Sequence, residues 1–371
     1  MESHKPIIII GAGFVGLACA LFLKQKGISS LILEIAQDAS SFASDPRTFA
    51  LSASSLDFLK QLGLLEKIHK LGKEIQTLHV VKQGSPILEL PASLIKQKSL
   101  GLMISAASLH GLLLEALNSN HSGGLCEVQY GTQITNITKQ EHTWQIQSNK
   151  QKQSLFHTDF LVAADGSPST VANFLGLKPY IMSPMYHIQL AHLLLNRPLE
   201  NQAYEFLLGK DQSAALLPLP QGTNHEAKFV LIQPHAEISE YNEPDVQSFR
   251  AINRILSAVN YQAQIQKQHR YSIQASRLLH PAIPQTVFLG NAANTLIPIG
   301  AQGLNLGLRD VKDFVKLYLE KGLKTSQDYT QARSEDVDKI YDFTQSILKQ
   351  DLLESLLKSP CQHFLRTGSG W

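Results

Sequence analysis

Residues 7–34 read IIIIGAGFVGLACALFLKQKGISSLILE. Pro6 to Ile10 is a short β-branched run, Gly11-Ala12-Gly13-Phe14-Val15-Gly16 is a glycine loop, a helical stretch follows to Lys26, and Leu31 to Glu34 is strand-like again. A G-x-G-x-x-G loop between a strand and a helix, followed by a second strand ending in an acid, is the βαβ dinucleotide fingerprint in the context it requires. Gly11 permits the tight turn, Gly13 lets the backbone approach a pyrophosphate, and Gly16 lets helix and strand pack closely. Glu34 follows Gly16 by eighteen positions. A carboxylate there accepts both hydroxyls of an unphosphorylated ribose, so the loop predicts FAD or NAD rather than NADP. The apolar run 7–23, behind Lys5 and with Ala18-Cys19-Ala20 resembling a cleavage site, has a second reading as a signal peptide or anchor. The glycine spacing argues against it, and no other segment is long and apolar enough to span a bilayer.

A second glycine cluster lies far along the chain, in Val287 to Asp310, VFLGNAANTLIPIGAQGLNLGLRD. Val287 to Leu289 reads as a buried strand, the run after it as loop, and Gly303 to Leu319 carries helical spacing. Gly290, Ala292, Ala293, Gly300, Ala301, Gly303 and Gly307 leave the backbone open to a flat ligand. The helix start near Gln302 to Leu304 offers unpaired N–H groups and a positive dipole end, which suit an electron-rich carbonyl or an anion. Taken alone, the stretch reads equally well as a tight turn packed on a neighbouring element.

A length of 371 residues predicts two domains sharing a large core. Hydrophobic residues at 43% and charged residues at 17% describe a globular chain, and Lys+Arg of 33 against Asp+Glu of 31 is too balanced to predict nucleic acid as a partner. Cys19, Cys126 and Cys361 are odd in number and form no C-x-x-C pair. That pattern predicts a cytoplasmic setting without disulfides or a zinc site. The 14 histidines give no metal cluster; His187 and His192 face opposite ways on one strand and read as structural. No nucleophile, base and orienting acid stand at recognisable spacing, so no catalytic residue is named.

Between the two glycine clusters the chain departs from plain strand and helix alternation. Asp45 to Ser52 is a loop that the βαβ topology returns towards the nucleotide. Arg47 in it reads either as a cofactor contact or as a solvated loop arginine. A helix is expected over 54–62, a hairpin over 77–90 around Gly84-Ser85-Pro86, a helix over 108–117 and a small antiparallel insertion over 127–160. Phe160 to Ala164 is a buried strand ending in Asp165-Gly166. A carboxylate there lies where open α/β sheets bind ligands, although a plain Asp-Gly turn is the simpler reading of that dipeptide. Segments 187–195, 204–208, 214–217 and 229–233 alternate as strands of a mostly antiparallel sheet, with a helix over 244–259. Helices from 312 to about 357 close the chain.

Gly11 to Gly16 with Glu34, Asp45 to Ser52, Asp165-Gly166, and Gly290-Asn291-Ala292-Ala293 through Pro298 to Gln302-Gly303-Leu304-Asn305-Leu306-Gly307 stand in that order. Together they resemble the group A, single-component FAD aromatic hydroxylases, the relatives of p-hydroxybenzoate hydroxylase, and within them the ubiquinone-biosynthesis branch. The resemblance covers roughly 7–319. It implies an α/β fold, α+β overall: a Rossmann-like FAD-binding domain of the p-hydroxybenzoate hydroxylase type with an inserted, mostly antiparallel β-sheet substrate domain and C-terminal helices. The corresponding division is 1–75, 101–180 and 276–345 for the FAD-binding domain, 76–100 and 181–275 for the substrate domain, and 346–371 for a C-terminal helical segment.

By that resemblance Gly11, Gly13 and Gly16 take the FAD pyrophosphate and Glu34 the adenosine ribose. Arg47 lies against the cofactor, and Asp165 near the pyrophosphate and the nicotinamide donor. Gly290, Asn291 and Pro298 belong to the flavin loop, with Asn291 where many relatives carry an aspartate facing the ribityl chain. Gly303, Leu304 and Asn305 face the isoalloxazine, their N–H groups directed at its N1 and O2. Asn294, Ile297, Ala301, Ala172 and Ser108 depart from the family pattern. The implied activity is monooxygenation of a polyprenylated phenol with NAD(P)H and O2 through a C4a-hydroperoxyflavin, NAD(P)H visiting transiently because only one dinucleotide loop is present. Implied partners are other ubiquinone-biosynthesis proteins and peripheral contact with the inner membrane, for which Leu352 to Leu365 is the candidate segment, although its scattered apolar residues read as readily as an ordinary packing helix. Two other readings stay open: an FAD oxidase or dehydrogenase of another small substrate, and a catalytically degenerate flavoprotein acting as a scaffold.

Overall fold

Strand β1 (Ser3–Ile10) enters the glycine loop, helix α1 (Phe14–Gln25) leaves it, and β2 (Ser30–Leu33) returns parallel to β1 with Ile7 opposite Ser30 and Ile10 opposite Leu33. Ile7 to Ile10 are all buried, which is why the run is continuously apolar rather than alternating. This is a computed structural model, and it describes residues 3–119, 125–149, 154–209, 211–235 and 244–349.

The chain continues through β3 (Thr48–Leu51), α2 (Ala53–Gln61), α3 (Leu65–Leu71), β4 (Lys73–Ile75), the hairpin β5 (Thr77–Lys82) and β6 (Ser85–Pro91), β7 (Gly101–Ser105) and α4 (Ala106–Asn118). Next come β8 (Cys126–Gln129), β9 (Ile134–Gln140), β10 (Thr143–Ser148), β11 (Ser154–Ala163) and α5 (Thr170–Phe174). Four long strands follow with one helix, β12 (Tyr180–Leu195), β13 (Gln202–Gly209), β14 (Gln212–Pro218), β15 (Glu226–Pro234), α6 (Pro244–Ser257) and β16 (Ala263–Arg277). The chain then runs through β17 (Ala282–Ile283), β18 (Thr286–Phe288), β19 (Asn294–Thr295), α7 (Gln302–Lys321) and α8 (Thr325–Leu348).

The first sheet has the order β17-β18-β11-β1-β2-β8, and its strands from β18 to β8 run parallel. Ile7, Ile9, Ile32 and Val162 point to one face and pack with α1, α2, α4 and α7. Ile8, Ile10, Leu31 and Leu161 point to the other, against α5 and the β9–β10 hairpin. The antiparallel pairing expected over 127–160 is present as the β9–β10 hairpin, which joins the first sheet rather than forming one of its own. β8 is a parallel edge strand beside β2, and β10 pairs with the first half of β11 from Trp144–Thr158 to Ser148–Ser154. Alternation in a sequence marks a strand without naming the partner that pairs with it.

The second sheet has the order β19-β16-β12-β15-β14-β13-β5-β6. The hairpin β5–β6 leaves the first sheet and joins β13 in parallel register, Leu78 beside Ala203. Strand β16 is not evident in the sequence because QIQKQHRYSIQ carries polar residues on both faces, one towards solvent and one towards the central cavity. A third sheet, β3-β7-β4, lies between the two, and β19 ties the flavin-type loop to β16 through Ser276 and Thr295. No helix among the described residues is long and apolar enough to cross a membrane. Leu352 to Leu365 and Cys361 lie outside the described residues.

Candidate active site

The C-terminal ends of β1, β2 and β11, the loop after β18 and the start of α7 open onto one cavity of about 1040 Å³, whose opposite wall is a face of the second sheet. This is the crevice at strand ends where α/β sheets bind ligands.

At Gly11, φ is +103°, and a Cβ would stand 2.5 Å from the Ala164 carbonyl oxygen; at Gly16 a Cβ would stand 2.0 Å from the Gly11 oxygen. Both glycines serve the packing of β1, α1 and β11. Gly11 and Gly13 both line the cavity, and Gly13 differs in that a Cβ there meets nothing within 4 Å. At the end of β2, Glu34 is 7% exposed and its carboxylate is fixed, Oε2 accepting from Ala12 N (2.5 Å) and Oε1 from Ala36 N (2.8 Å). A carboxylate has about four lone-pair sites, so two remain for hydroxyl groups.

Asp165 sits at the end of β11 on the cavity wall, with Oδ1 accepting from Ser169 Oγ (2.9 Å) and Oδ2 from Val171 N (3.0 Å). Burial pushes its carboxyl pKa up, against the pull of those donors. Arg47 also lines the cavity. Its guanidinium grips Asp45 through Nε (2.9 Å) and Nη2 (2.6 Å) and lies 5.7 Å and 5.5 Å from the Phe14 and Phe49 ring centres. The Asp45 carboxylate holds the Arg47 pKa above its ordinary value.

Asn291, Pro298, Gly303 and Leu304 line the cavity as well. Helix α7, 20 residues long, begins there behind Ala301 at φ +53° with no side-chain cap. No side chain occupies its first-turn N–H groups at Gly303 and Leu304, which stand at the cavity wall. A Cβ on Gly303 would approach only Asn291 Oδ1, at 3.9 Å.

Gly16, Gly290 and Asn305 are not on the cavity wall. Gly290 N donates to the buried Asp310 Oδ2 (2.9 Å), and Asp310 Oδ1 accepts from Arg333 Nε (2.8 Å), so this glycine anchors its loop to α7 and α8. The Asn305 side chain is fully buried: Oδ1 accepts from Ser52 N (3.0 Å) and Ser55 Oγ (2.7 Å), and Nδ2 donates to Ala50 O (2.9 Å) and Ala301 O (2.9 Å). Its hydrogen-bonding capacity is spent on clamping β3 and α2 to α7.

The second sheet contributes residues that sequence reasoning missed. Lys228, buried on β15, donates from Nζ to Pro46 O (2.7 Å) and so ties that strand to the Arg47 loop; burial lowers its pKa while the Asp45 carboxylate raises it. Glu205 on β13 is 4% exposed and lines the cavity, and Ser213 Oγ donates to its Oε1 (2.5 Å). Burial pushes the Glu205 carboxyl up to about 7. The available signal was a lone acid in the apolar run Ala203 to Leu208. His187 pairs with His235 and Ser272, and His192 with Glu226 (3.1 Å). Among the described residues no group of three or more His, Cys, Asp or Glu could hold a metal ion.

A cradle of glycines open to the cavity at Gly13 and Gly303, an anchored acid at Glu34 and an uncapped helix start fit the pyrophosphate, ribose and ring of FAD. A family model described as FAD binding domain matches residues 4–344. The chain belongs to that family. It is an FAD-dependent monooxygenase with the p-hydroxybenzoate hydroxylase type of mixed α/β fold, and NAD(P)H is the usual electron donor in the family. Similar proteins include 3-demethoxyubiquinol 3-hydroxylase of Escherichia coli (strain K12), 25% identical over 326 residues that span 83% of this chain and 78% of that one. Kynurenine 3-monooxygenase of Candida albicans (strain SC5314 / ATCC MYA-2876) is 23% identical over 382 residues, 91% of this chain and 78% of that one. The structure of p-nitrophenol 4-monooxygenase PnpA from Pseudomonas putida DLL-E4 superimposes with a TM-score of 0.78 at 16% identity, over 99% of this chain and 96% of that one, a likeness of fold.

Proposed function

We propose that this flavoprotein hydroxylates a polyprenylated phenol in ubiquinone biosynthesis, in the manner of 2-octaprenyl-6-methoxyphenol hydroxylase, with electrons from NAD(P)H and oxygen from O2. The observation that carries the reading is the cavity wall facing the glycine cradle, where Leu190, Leu217, Val230 and Ile273 form an apolar surface on the second sheet. The relative named for a demethoxyubiquinol supports the ring class. Each buried methylene contributes about 0.8 kcal/mol, so a tail of a few isoprene units outweighs the polar contacts of the ring. Peripheral membrane contact and association with other ubiquinone-biosynthesis proteins belong to the same reading.

In this assignment 1–75, 101–180 and 276–345 bind the cofactor and 76–100 and 181–275 cover the substrate. FAD supplies the electron transfer and oxygen activation when bound. The chain supplies placement. Gly11 and Gly13 admit the pyrophosphate, Glu34 accepts from the ribose, Arg47 and Asp165 flank the cofactor, and Asn291 and Pro298 with the first turn of α7 at Gly303 and Leu304 position the ring. The second-sheet wall excludes water from the reacting centre.

The test compares coupled turnover of a prenylated methoxyphenol with that of the same ring without its tail and of 4-hydroxybenzoate, products identified by mass. Preference for the prenylated ring is expected. Equal or better hydroxylation of the small acid overturns the substrate assignment, and purified protein without a flavin spectrum would favour the scaffold reading.

A further inference from the structure

Strand register places Glu205, Ala215, Val230, Leu190 and His269 in one row across five adjacent strands, all five on the cavity wall. Tyr204 and Phe206, on either side of Glu205, pack into the core behind the sheet, while Ala203 and Leu207 share the Glu205 face. A carboxyl group therefore stands in the apolar wall where hydrophobic side chains would pack more cheaply. Ser213 Oγ is its hydrogen-bond donor, and among the described residues no ion pair includes it. Nothing in the packing accounts for an acid at this position.

Resting on the substrate class proposed above, we propose that Glu205 is the group that contacts the ring hydroxyl of the substrate and accepts its proton. The ring O–H bond breaks, the proton goes to a Glu205 carboxylate oxygen, and the electron pair stays on the ring oxygen, enriching the carbon that receives the oxygen atom. The proton leaves with the water formed from the second atom of O2. The other titratable groups facing the cavity are Glu34 after β2, Asp45 and Arg47 from the loop before β3, Asp165 after β11, Lys228 on β15, and His269 and Tyr271 on β16, with Tyr341 of α8 packed in the same core. Lys228 is committed to Pro46, Asp45 and Arg47 to each other, and Tyr341 to the Ser276 carbonyl. Burial that brings the Glu205 carboxyl to about 7 places it where a general base works best at neutral pH.

The test uses the FAD-loaded protein, Glu205→Gln, Glu205→Asp and Ser213→Ala, with FAD content and melting temperature checked for each. In infrared difference spectra, addition of unsubstituted phenol should shift a carboxyl band of the wild type that is missing from Glu205→Gln. In turnover of the prenylated phenol, kcat/KM of the wild type should fall on the acid side of about pH 7. Glu205→Gln should lose that limb and about a hundredfold in rate near neutral pH. Glu205→Asp should keep the limb, and Ser213→Ala should move it to higher pH because a hydrogen bond to the carboxylate is lost. An unmoved carboxyl band, or a Glu205→Gln profile that retains the wild-type limb and rate, overturns the assignment. A shifted band in a protein that hydroxylates no phenol would instead sink the proposed reaction and leave the Glu205 contact standing.

Discussion

At Gly13 a side chain would point into empty cavity, whereas at Gly16 it would collide with the Gly11 carbonyl. The two positions of one motif therefore separate ligand from fold. Gly13→Val should purify as a folded apoprotein with a near-wild-type melting temperature and no yellow colour, because its φ of −70° is open to any residue. Gly16→Val should fail to accumulate as folded protein. A yellow Gly13→Val would show that no pyrophosphate passes over that backbone. The departures from the family pattern also resolve residue by residue. Ile297 is buried in the core of the second sheet, Asn294 belongs to β19, and Ser108 pairs with the N-cap Ser105 of α4. Ala301 takes a left-handed conformation, a strain of roughly 1–2 kcal/mol carried at the mouth of α7. The glycine spacing was legible in the sequence because it answers to local backbone geometry. The role of Asn305 was not, since its partners Ser52 and Ser55 lie some 250 positions away.

Helices α7 and α8 are joined by a buried charge cluster in which Arg333 binds Asp310, Asp313 and Asp336 at 2.6–2.8 Å. The same Asp310 carries the Gly290 amide, so the cluster holds the loop as well as the helix pair. Burial raises the Asp310 carboxyl pKa while the Arg333 guanidinium opposes the rise. Removing Arg333 leaves that carboxylate buried without its cation, and Arg333→Met should cost about 3–5 kcal/mol in denaturant unfolding. The double variant Arg333→Met/Asp310→Asn should recover part of the loss, since an uncompensated charge costs more than an absent pair. A loss below about 1 kcal/mol in Arg333→Met would mean that water reaches the cluster. At this scale α7 was visible through its helical spacing and β16 was not, because a strand that faces solvent on one side and a cavity on the other carries no apolar alternation.

Across the whole molecule the cavity is walled by the first sheet on one side and the second on the other, with β3-β7-β4 between them. A ligand filling it touches both sheets, so FAD should raise the stability of both together. Free FAD at about 100 times its Kd should add about 2.7 kcal/mol, seen as a rise in a single thermal transition. Two transitions, of which FAD moves one, would show that the sheets unfold independently. The sequence by itself determined the βαβ unit, the two glycine loops, the acid at the end of β2 and the alternating strands of the second half, because each reflects a φ/ψ requirement or a burial period expressed over a few residues. Only the tertiary structure decided that β5 pairs in parallel with β13, that β9–β10 extend the first sheet, that Asn305 and Gly290 are clamps, and that Glu205 and Lys228 enter the cavity wall. Those placements depend on pairing and register between segments far apart in the chain, where one residue of slip turns a side chain from the cavity to the opposite face.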